Sequence, residues 1–200
     1  MSLTTIATEK WGKQHLSMPD WTEHYWRSRE KPARQEVLTQ LKGLWPFESL
    51  VELGCNSGPM LSLIHDAFPE TRLAGLETNA LAVEACARNV PGITVHLGDL
   101  MRWLPERSAE AYDVILTYYT LAYISPEDLP AVLWQCWRVC GKGLLLAEPL
   151  ARPDEPAGLV YHYPEWRHDY QRVLRELGVT STVYPCSRDG YLNDILVAQK

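Results

Sequence analysis

Short apolar runs alternate with amphipathic segments from Glu48 to the end of the chain. The apolar runs predict strands at residues 49–53, 72–76, 93–97, 112–117, 141–147, 180–184 and 194–198. Apolar residues at helical spacing predict helices at residues 59–68, 80–89, 125–140 and 164–177. This alternation predicts a mostly parallel sheet with helices on both faces, and such sheets bind ligands beyond the carboxyl ends of their strands.

The N-terminal region has a different pattern. Residues 20–44 have helical spacing, with Asp20 as a possible cap, and the polar first 18 residues are expected to be partly disordered. This region holds a dense basic run, for which a solvated helix face is the simplest interpretation. The run comprises Arg27, Arg29, Lys31 and Arg34.

Length and charge narrow the classes of protein. The 200 residues fit one ordinary domain, and the formal net charge of -6 disfavours a large nucleic-acid footprint. No apolar run approaches the length of a membrane span, and the N-terminus lacks an apolar signal region. The five cysteines match no zinc or redox spacing. We therefore expect a cytoplasmic protein, a monomer or homodimer, with no bound metal.

The first strand-to-helix turn carries the strongest candidate chemistry. It has two glycines, Gly54 and Gly58, and an acid, Glu52, directly before them. Glycines let a ligand approach the backbone, and the helix N-terminus that follows favours a carboxylate or phosphate. A dinucleotide fingerprint fails because Asn56 and Pro59 replace its second and third glycines. A phosphate-binding P-loop fails because no Gly-Lys-Ser/Thr follows.

The turn resembles the Glu-x-Gly-x-Gly-x-Gly motif of class I S-adenosylmethionine (SAM)-dependent methyltransferases, with Asn56 in place of the middle glycine. Asn tolerates left-handed backbone conformations, so the departure is mild. Later segments follow the family's order: residues 73–77 end in Glu77, residues 96–100 contain Asp99, and residues 112–117 and 141–149 resemble the fourth and fifth strands. The resemblance covers about residues 48–200.

This resemblance implies an α/β three-layer sandwich. Its seven-stranded, mostly parallel sheet would end in an antiparallel C-terminal hairpin. Residues 1–45 would form an N-terminal helical arm and cap helix, and residues 46–200 the Rossmann-like SAM-binding methyltransferase domain.

The resemblance also implies a cofactor site for SAM. The glycine turn would contact the methionine part of SAM through backbone atoms, Glu77 would bind both ribose hydroxyls, and Asp99 and Leu100 would line the adenine pocket. In the arm, Tyr25 or Trp26 would cover the cofactor and Arg34 would pair with its carboxylate; the alternative is a cap helix packed on the sheet. The expected cofactor-binding residues are Tyr25, Trp26, Arg34, Glu52, Gly54, Cys55, Asn56, Gly58, Glu77, Thr78, Asp99, Leu100 and Thr117.

Candidate catalytic residues follow the fourth and fifth strands. Tyr118 and Tyr119 would face the methyl group, or else pack beneath the next helix. His162 and His168 are candidate general bases because the pKa of histidine lies near neutrality; a structural role is the alternative. The aromatic and histidine residues around them suggest a small, partly planar acceptor.

The predicted function is transfer of the sulfonium methyl group of SAM to an O or N atom of a small molecule. The Pro-Pro-Tyr/Phe signature of enzymes that methylate nucleic-acid nitrogens is absent after residue 117. Three alternatives remain: a protein or RNA acceptor guided by the basic run, a non-catalytic SAM-binding module, and a nicotinamide-dependent oxidoreductase.

Overall fold

Eight α-helices and nine strands build the part of the chain that the computed structural model describes, residues 2–16, 20–151, 155–156, 158–162, 165–186 and 194–200. The helices are α1 (Leu3–Leu16), α2 (Trp21–Arg27), α3 (Pro32–Gly43), α4 (Pro59–Ala67), α5 (Ala80–Asn89), α6 (Leu100–Trp103), α7 (Leu129–Val139) and α8 (Tyr170–Glu176). The strands are β1 (Ser49–Leu53), β2 (Arg72–Glu77), β3 (Thr94–Leu97), β4 (Tyr112–Tyr118), β5 (Cys140–Glu148), β6 (Leu159–His162), β7 (Glu165–Arg167), β8 (Ser181–Tyr184) and β9 (Asp194–Gln199).

Seven strands form one sheet in the order β3-β2-β1-β4-β5-β9-β8. Neighbours from β3 to β5 are parallel, whereas β9 is antiparallel to both β5 and β8. This arrangement confirms the predicted seven-stranded sheet with its antiparallel C-terminal pair. Strands β6 and β7 form a separate antiparallel hairpin. Strand order reverses between β1 and β4, which is where open α/β sheets bind ligands.

Helices cover both faces of the sheet, as the sequence predicted. Along β1, Leu50 packs in an apolar cluster with α3 and α4, whereas Val51 and Leu53 pack on the opposite face with α7 and α8. The central strands are mostly apolar because they are largely buried on both faces. Within the described ranges, no helix is both long and apolar enough to cross a bilayer.

The predicted helix over residues 20–44 is two helices in the structure. Lys31 is extended at ψ 133°, which separates α2 from α3, and Pro32 occupies the first position of α3. A residue before proline is disfavoured in the helical region, so the proline explains the break. Asp20 adopts a left-handed conformation and its side chain makes no cap hydrogen bond, so its predicted role as a capping side chain is wrong.

Within the N-terminal segment, Leu3–Leu16 form helix α1. Helix α1 docks through Thr4, whose hydroxyl donates to the Asp128 carboxylate at 2.5 Å and accepts from the Ser125 N–H at 2.8 Å. Thr4 and Ala7 are both buried. The first helix therefore rests on the turn that precedes α7.

The helix predicted over residues 164–177 begins later in the structure. Its first residue lies outside the described ranges, Glu165–Arg167 form β7, and α8 starts at Tyr170. The Asp169 carboxylate accepts from the Arg172 N–H at 2.9 Å, as an N-cap side chain does. This cap fixes the start of α8, and Gly178, which has φ +78°, follows the end of the helix.

Candidate active site

A cavity of about 1080 Å³ lies beyond the carboxyl ends of the central strands, where strand order reverses. Small-molecule sites commonly measure about 300–1,000 Å³, so the space suits a cofactor and a second ligand. Twelve of the residues predicted to bind or act line it. They are Tyr25, Arg34, Glu52, Gly54, Cys55, Asn56, Glu77, Thr78, Asp99, Leu100, Tyr118 and Tyr119.

The loop after β1 needs its glycine because of a close neighbour. Gly54 has φ +74°, and a Cβ there would lie 2.2 Å from the Thr120 hydroxyl oxygen. Asn56 also has positive φ, at 51°, and its side-chain oxygen accepts from the Ser57 N–H at 2.7 Å. This left-handed conformation is the one in which Asn is tolerated in place of glycine.

Glu77 joins the loops that follow β1 and β2. Its buried carboxylate accepts hydrogen bonds from the N–H groups of Thr78, Asn79 and Asn56 at 2.7, 2.9 and 3.0 Å, and from the Thr78 hydroxyl at 3.1 Å. Burial raises the pKa of this carboxyl, and the N–H donors oppose the shift. Glu77 therefore organises the cavity wall as well as lining it, a structural role that the sequence did not reveal.

Asp99 stands on the same cavity after β3. Its carboxylate accepts from the Met101 N–H at 2.7 Å and so caps the short helix α6. Asp99, Gly98 and Leu100 all line the cavity. The two acids predicted to hold ribose and adenine therefore face one shared space.

Glu52 is fully buried at the carboxyl end of β1 and also lines the cavity. Burial raises the pKa of its carboxyl from 4.5 to about 8, although the charge of Arg34 works in the opposite direction. Its Oε2 atom has no hydrogen-bond partner among the described residues. Buried polar atoms are normally satisfied, so this oxygen is a candidate acceptor for a donor group of a ligand.

Arg34 is held in place beside Glu52. Its guanidinium donates to the Ser28 carbonyl at 3.0 Å and to the Ser28 hydroxyl at 2.9 Å, and lies 4.2 Å from the centre of the Tyr118 ring. Burial lowers its pKa. Because Arg34 is 4% exposed, the basic run of the arm is not the continuous solvated helix face expected from the sequence.

The remaining predicted cofactor residues lie behind the cavity wall. Trp26 packs against the apolar cluster beneath α3 and α4. A Cβ on Gly58 would lie 2.7 Å from the Cys86 sulfur, so this glycine serves helix packing. Thr117 is fully buried next to the Glu148 carboxyl. None of these three is among the described residues that line the cavity.

Glu148, at the end of β5, anchors the turn after β4. Its buried carboxylate accepts from the Thr120 N–H at 2.9 Å and from the Leu121 N–H at 3.1 Å. Burial raises the pKa of this carboxyl to about 7. The Thr120 hydroxyl in turn donates to the Leu53 carbonyl at 3.0 Å. The ends of β5, β4 and β1 are thus linked by hydrogen bonds.

A second carboxylate stands at the far wall of the cavity. Glu165 of β7 accepts from the Tyr119 hydroxyl at 2.9 Å and from the Tyr123 hydroxyl at 3.1 Å. Tyr119 has φ +54°, and all three side chains line the cavity. The sequence analysis identified Tyr119 but missed Tyr123 and Glu165. The only signal for them was the density of aromatic residues in both segments.

His168 does not fit the predicted role of general base. Its ring Nε2–H donates to the Ile124 carbonyl at 3.0 Å, and the ring packs edge-on against Tyr170 with centroids 5.4 Å apart. Burial lowers its pKa to about 4, and the residue does not line the cavity. These contacts assign His168 a structural role. The backbone of His162 ends β6, and its side chain lies outside the described part of the chain.

Comparison with known proteins agrees with this geometry. Residues 50–143 match the family described as a methyltransferase domain. A trans-aconitate 2-methyltransferase of Yersinia pseudotuberculosis serotype O:1b (strain IP 31758) is 24% identical over 169 residues, which cover 82% of this chain and 62% of that protein. The chain therefore spans less than two thirds of that relative.

Two solved structures have the same fold. The magnesium protoporphyrin IX methyltransferase of Synechocystis PCC 6803, solved with bound SAM, is 16% identical with a TM-score of 0.71, covering 100% of this chain and 98% of that one. A sugar N-methyltransferase of Streptoalloteichus sp. is 15% identical with a TM-score of 0.66, covering 89% and 92%. The chain therefore has the α/β fold of these two methyltransferases, and residues 50–143 match a methyltransferase domain.

Proposed function

We propose that this chain binds SAM in the cavity and transfers its methyl group to an O or N atom of a small molecule. The observation that carries the proposal is that Glu77 and Asp99 line one cavity with the glycine loop, and that this cavity continues to the tyrosines after β4. The relatives named above act, by their names, on trans-aconitate, a porphyrin and a sugar. These names support a small acceptor.

The residues around the cavity fit SAM. The buried, unpartnered Oε2 of Glu52 suits the cationic amino group of the methionine part, and the Arg34 guanidinium suits its carboxylate. The Glu77 carboxylate offers acceptors to the ribose hydroxyls, while Asp99 and Leu100 flank the adenine. The backbone of the loop at Gly54 lines the cavity and would lie close to the ligand.

Methyl transfer from SAM is an in-line displacement on a carbon that its sulfonium has already activated. The protein's task is therefore mainly to align the acceptor with the methyl group. Tyr118 and Tyr119 follow β4 on the cavity wall, and their aromatic faces favour a nearby cation. A general base is needed only for an acceptor that must lose a proton.

The N-terminal arm contributes to the same cavity. Trp11 of α1 and Tyr25 of α2 both line it. Burial raises the pKa of Tyr25 to about 12, and its hydroxyl also senses the charges of Arg34, Glu77 and Glu165. We propose that Tyr25, rather than Trp26, covers the cofactor. Deleting residues 1–30 should then weaken SAM binding, and unchanged affinity in a folded product would contradict this role.

The alternative of a protein or RNA acceptor has lost its main support. It depended on an exposed basic run, but Arg34 is buried and Arg29 pairs with Asp66. Arg27 pairs with Glu23 at 3.3 Å. No continuous basic surface is left among these residues to guide a polyanion.

The cofactor step can be tested by calorimetry with SAM and with S-adenosylhomocysteine. We expect Glu77→Gln to weaken both by at least roughly tenfold, because an amide nitrogen would face N–H donors and the ribose would lose an acceptor. Glu84→Gln removes an exposed acid from α5 and serves as the control of equal charge. Equal affinities for all three proteins would overturn the proposed cofactor site. Release of S-adenosylhomocysteine from SAM and a pool of metabolites then tests turnover.

A further inference from the structure

The wall of the cavity opposite the glycine loop carries a carboxylate that the cofactor does not need. Glu165 lies on the β6–β7 hairpin, which stands apart from the main sheet. Two tyrosine hydroxyls, from Tyr119 and Tyr123, donate to its two oxygens. Two donors leave part of the acceptor capacity of a carboxylate unused, because it offers about four lone-pair sites.

No cation neutralises this carboxylate among the described residues. The ion pairs of the described side chains do not include Glu165, and its two hydrogen-bond donors are neutral tyrosine hydroxyls. Arg27, Lys31 and Arg34 also line the cavity, and Arg34 is bonded to Ser28 and stacked on Tyr118 at the end near the glycine loop. A half-buried carboxylate on a cavity wall therefore presents negative charge to whatever enters.

Aromatic rings surround the same part of the cavity. Tyr123 lies 6.4 Å from Tyr119 and 6.3 Å from Trp11, measured between ring centroids. Trp11 lies 5.7 Å from Trp21, which lies 5.8 Å from Tyr25. This continuous row of rings begins at the donors of Glu165 and leads to the residue proposed to cover the cofactor. Ring faces attract cations. The ring edges and hydroxyls beside the Glu165 carboxylate hold that carboxylate in one orientation.

We propose that the methyl acceptor is a small molecule with a cationic amino group, and that Glu165 binds this group beside the rings of Trp11, Tyr25 and Tyr123. This inference rests on the proposed function. It assigns Glu165 as a specificity-determining residue, whereas an acceptor with several carboxylates, of the kind that trans-aconitate represents, is repelled at this wall.

The test uses pairs of acceptors that match in shape and differ in charge. Tyramine is compared with 3-(4-hydroxyphenyl)propionate, glucosamine with glucose, and trans-aconitate is included as a polycarboxylate. The full chain is supplied with SAM, and formation of S-adenosylhomocysteine is measured for each compound. The proteins are the natural chain, Glu165→Gln, and Glu127→Gln, which removes an exposed acid outside the cavity as the charge-matched control.

We expect amines to be methylated in preference to their uncharged or anionic partners. In Glu165→Gln the KM for the amine should rise roughly 10- to 100-fold with a smaller change in kcat, because a charge-assisted contact is lost on binding. The affinity for SAM, measured by calorimetry, should stay unchanged. Glutamine keeps the fold, since its amide oxygen accepts from one tyrosine and its nitrogen donates to the other, and thermal melting checks this.

Three outcomes would overturn the inference. They are turnover confined to carboxylate or neutral compounds, SAM binding without turnover of any amine, and an amine KM that Glu165→Gln leaves as it is in Glu127→Gln. Each of these leaves the proposed cofactor function standing. Failure of the natural chain to bind SAM would instead overturn the proposed function itself.

Discussion

Replacing Glu52 by Gln should stabilise the cofactor-free protein, although Glu52 belongs to the proposed cofactor site. Burial raises the pKa of this carboxyl from 4.5 to about 8. Between these two values the folded protein retains a proton that the unfolded chain releases. The free energy of unfolding therefore falls as the pH rises through this window, and the loss is complete above pH 8. Glutamine is a neutral isostere that does not titrate.

The size of the effect follows from the same shift. Each pH unit within the window lowers the free energy of unfolding of the natural chain by about 1.4 kcal/mol. The stability advantage of Glu52→Gln should therefore grow by about 3 kcal/mol between pH 5 and pH 8. The pKa of about 8 already includes the effect of Arg34, whose positive charge opposes the larger effect of burial on Glu52. A polar group buried for binding at the expense of stability is a known property of functional sites.

Urea unfolding at pH 5, 6, 7 and 8 measures this difference directly, with Glu84→Gln as a control that removes an exposed acid. Under the proposed function, a cation beside Glu52 favours its ionised form. The affinity of the natural chain for SAM should then rise with pH, while that of Glu52→Gln stays flat and weaker. A variant that is less stable than the natural chain at pH 8, or a difference that does not vary with pH, would refute the reasoning.

Other substitutions probe the loops around the cavity. Gly54→Ala places a Cβ 2.2 Å from the Thr120 hydroxyl at a positive φ, so it should cost about 1–3 kcal/mol in urea unfolding and weaken SAM at least tenfold; near-normal affinity in calorimetry would contradict the close approach. Glu148→Ala leaves the N–H groups of Thr120 and Leu121, in the turn after β4, without their acceptor. It should lower the free energy of unfolding by about 2–5 kcal/mol. A change within experimental error would show that the turn does not need this carboxylate. His168→Gln should change turnover of an accepted amine by less than about threefold, since removing a general base costs roughly 100-fold or more and this ring bonds the Ile124 carbonyl instead; a loss of that larger size would restore its catalytic assignment.

The sheet was predictable because its signal is local. Leu144, Leu145 and Leu146 form a continuous apolar run, and the structure buries all three in the middle of β5. The glycine loop was predictable from its resemblance to the family motif, and Asn56, which replaces a motif glycine, has positive φ as Gly54 does. In both cases the residues that determine the local structure lie within a few positions of one another in the sequence.

The β6–β7 hairpin was missed for a physical reason. Trp166, Tyr170, Val173 and Leu174 have helical spacing, but Trp166 is buried on a strand and only the others belong to α8. Tertiary packing decided between two structures that the pattern permits equally well.

The far wall of the cavity was beyond local reasoning for a related reason. Glu165 and Tyr123 are 42 positions apart, and only the folded chain brings their oxygens to 3.1 Å. Nor does the sequence distinguish a histidine on a cavity wall from one that bonds a carbonyl, as His168 does. The sequence motifs could predict the side of the cavity formed by the glycine loop, whereas the side that carries Glu165 depends on long-range contacts.

Thr120 is hydrogen-bonded to both sides of the cavity. Its N–H is bound by Glu148, after which the chain continues toward the hairpin that carries Glu165, and its hydroxyl is bound to Leu53, directly before Gly54. The backbone and side chain of one residue thereby connect the end of β5 to the glycine loop. We therefore expect a displacement at the end of β5 to move the start of the glycine loop as well.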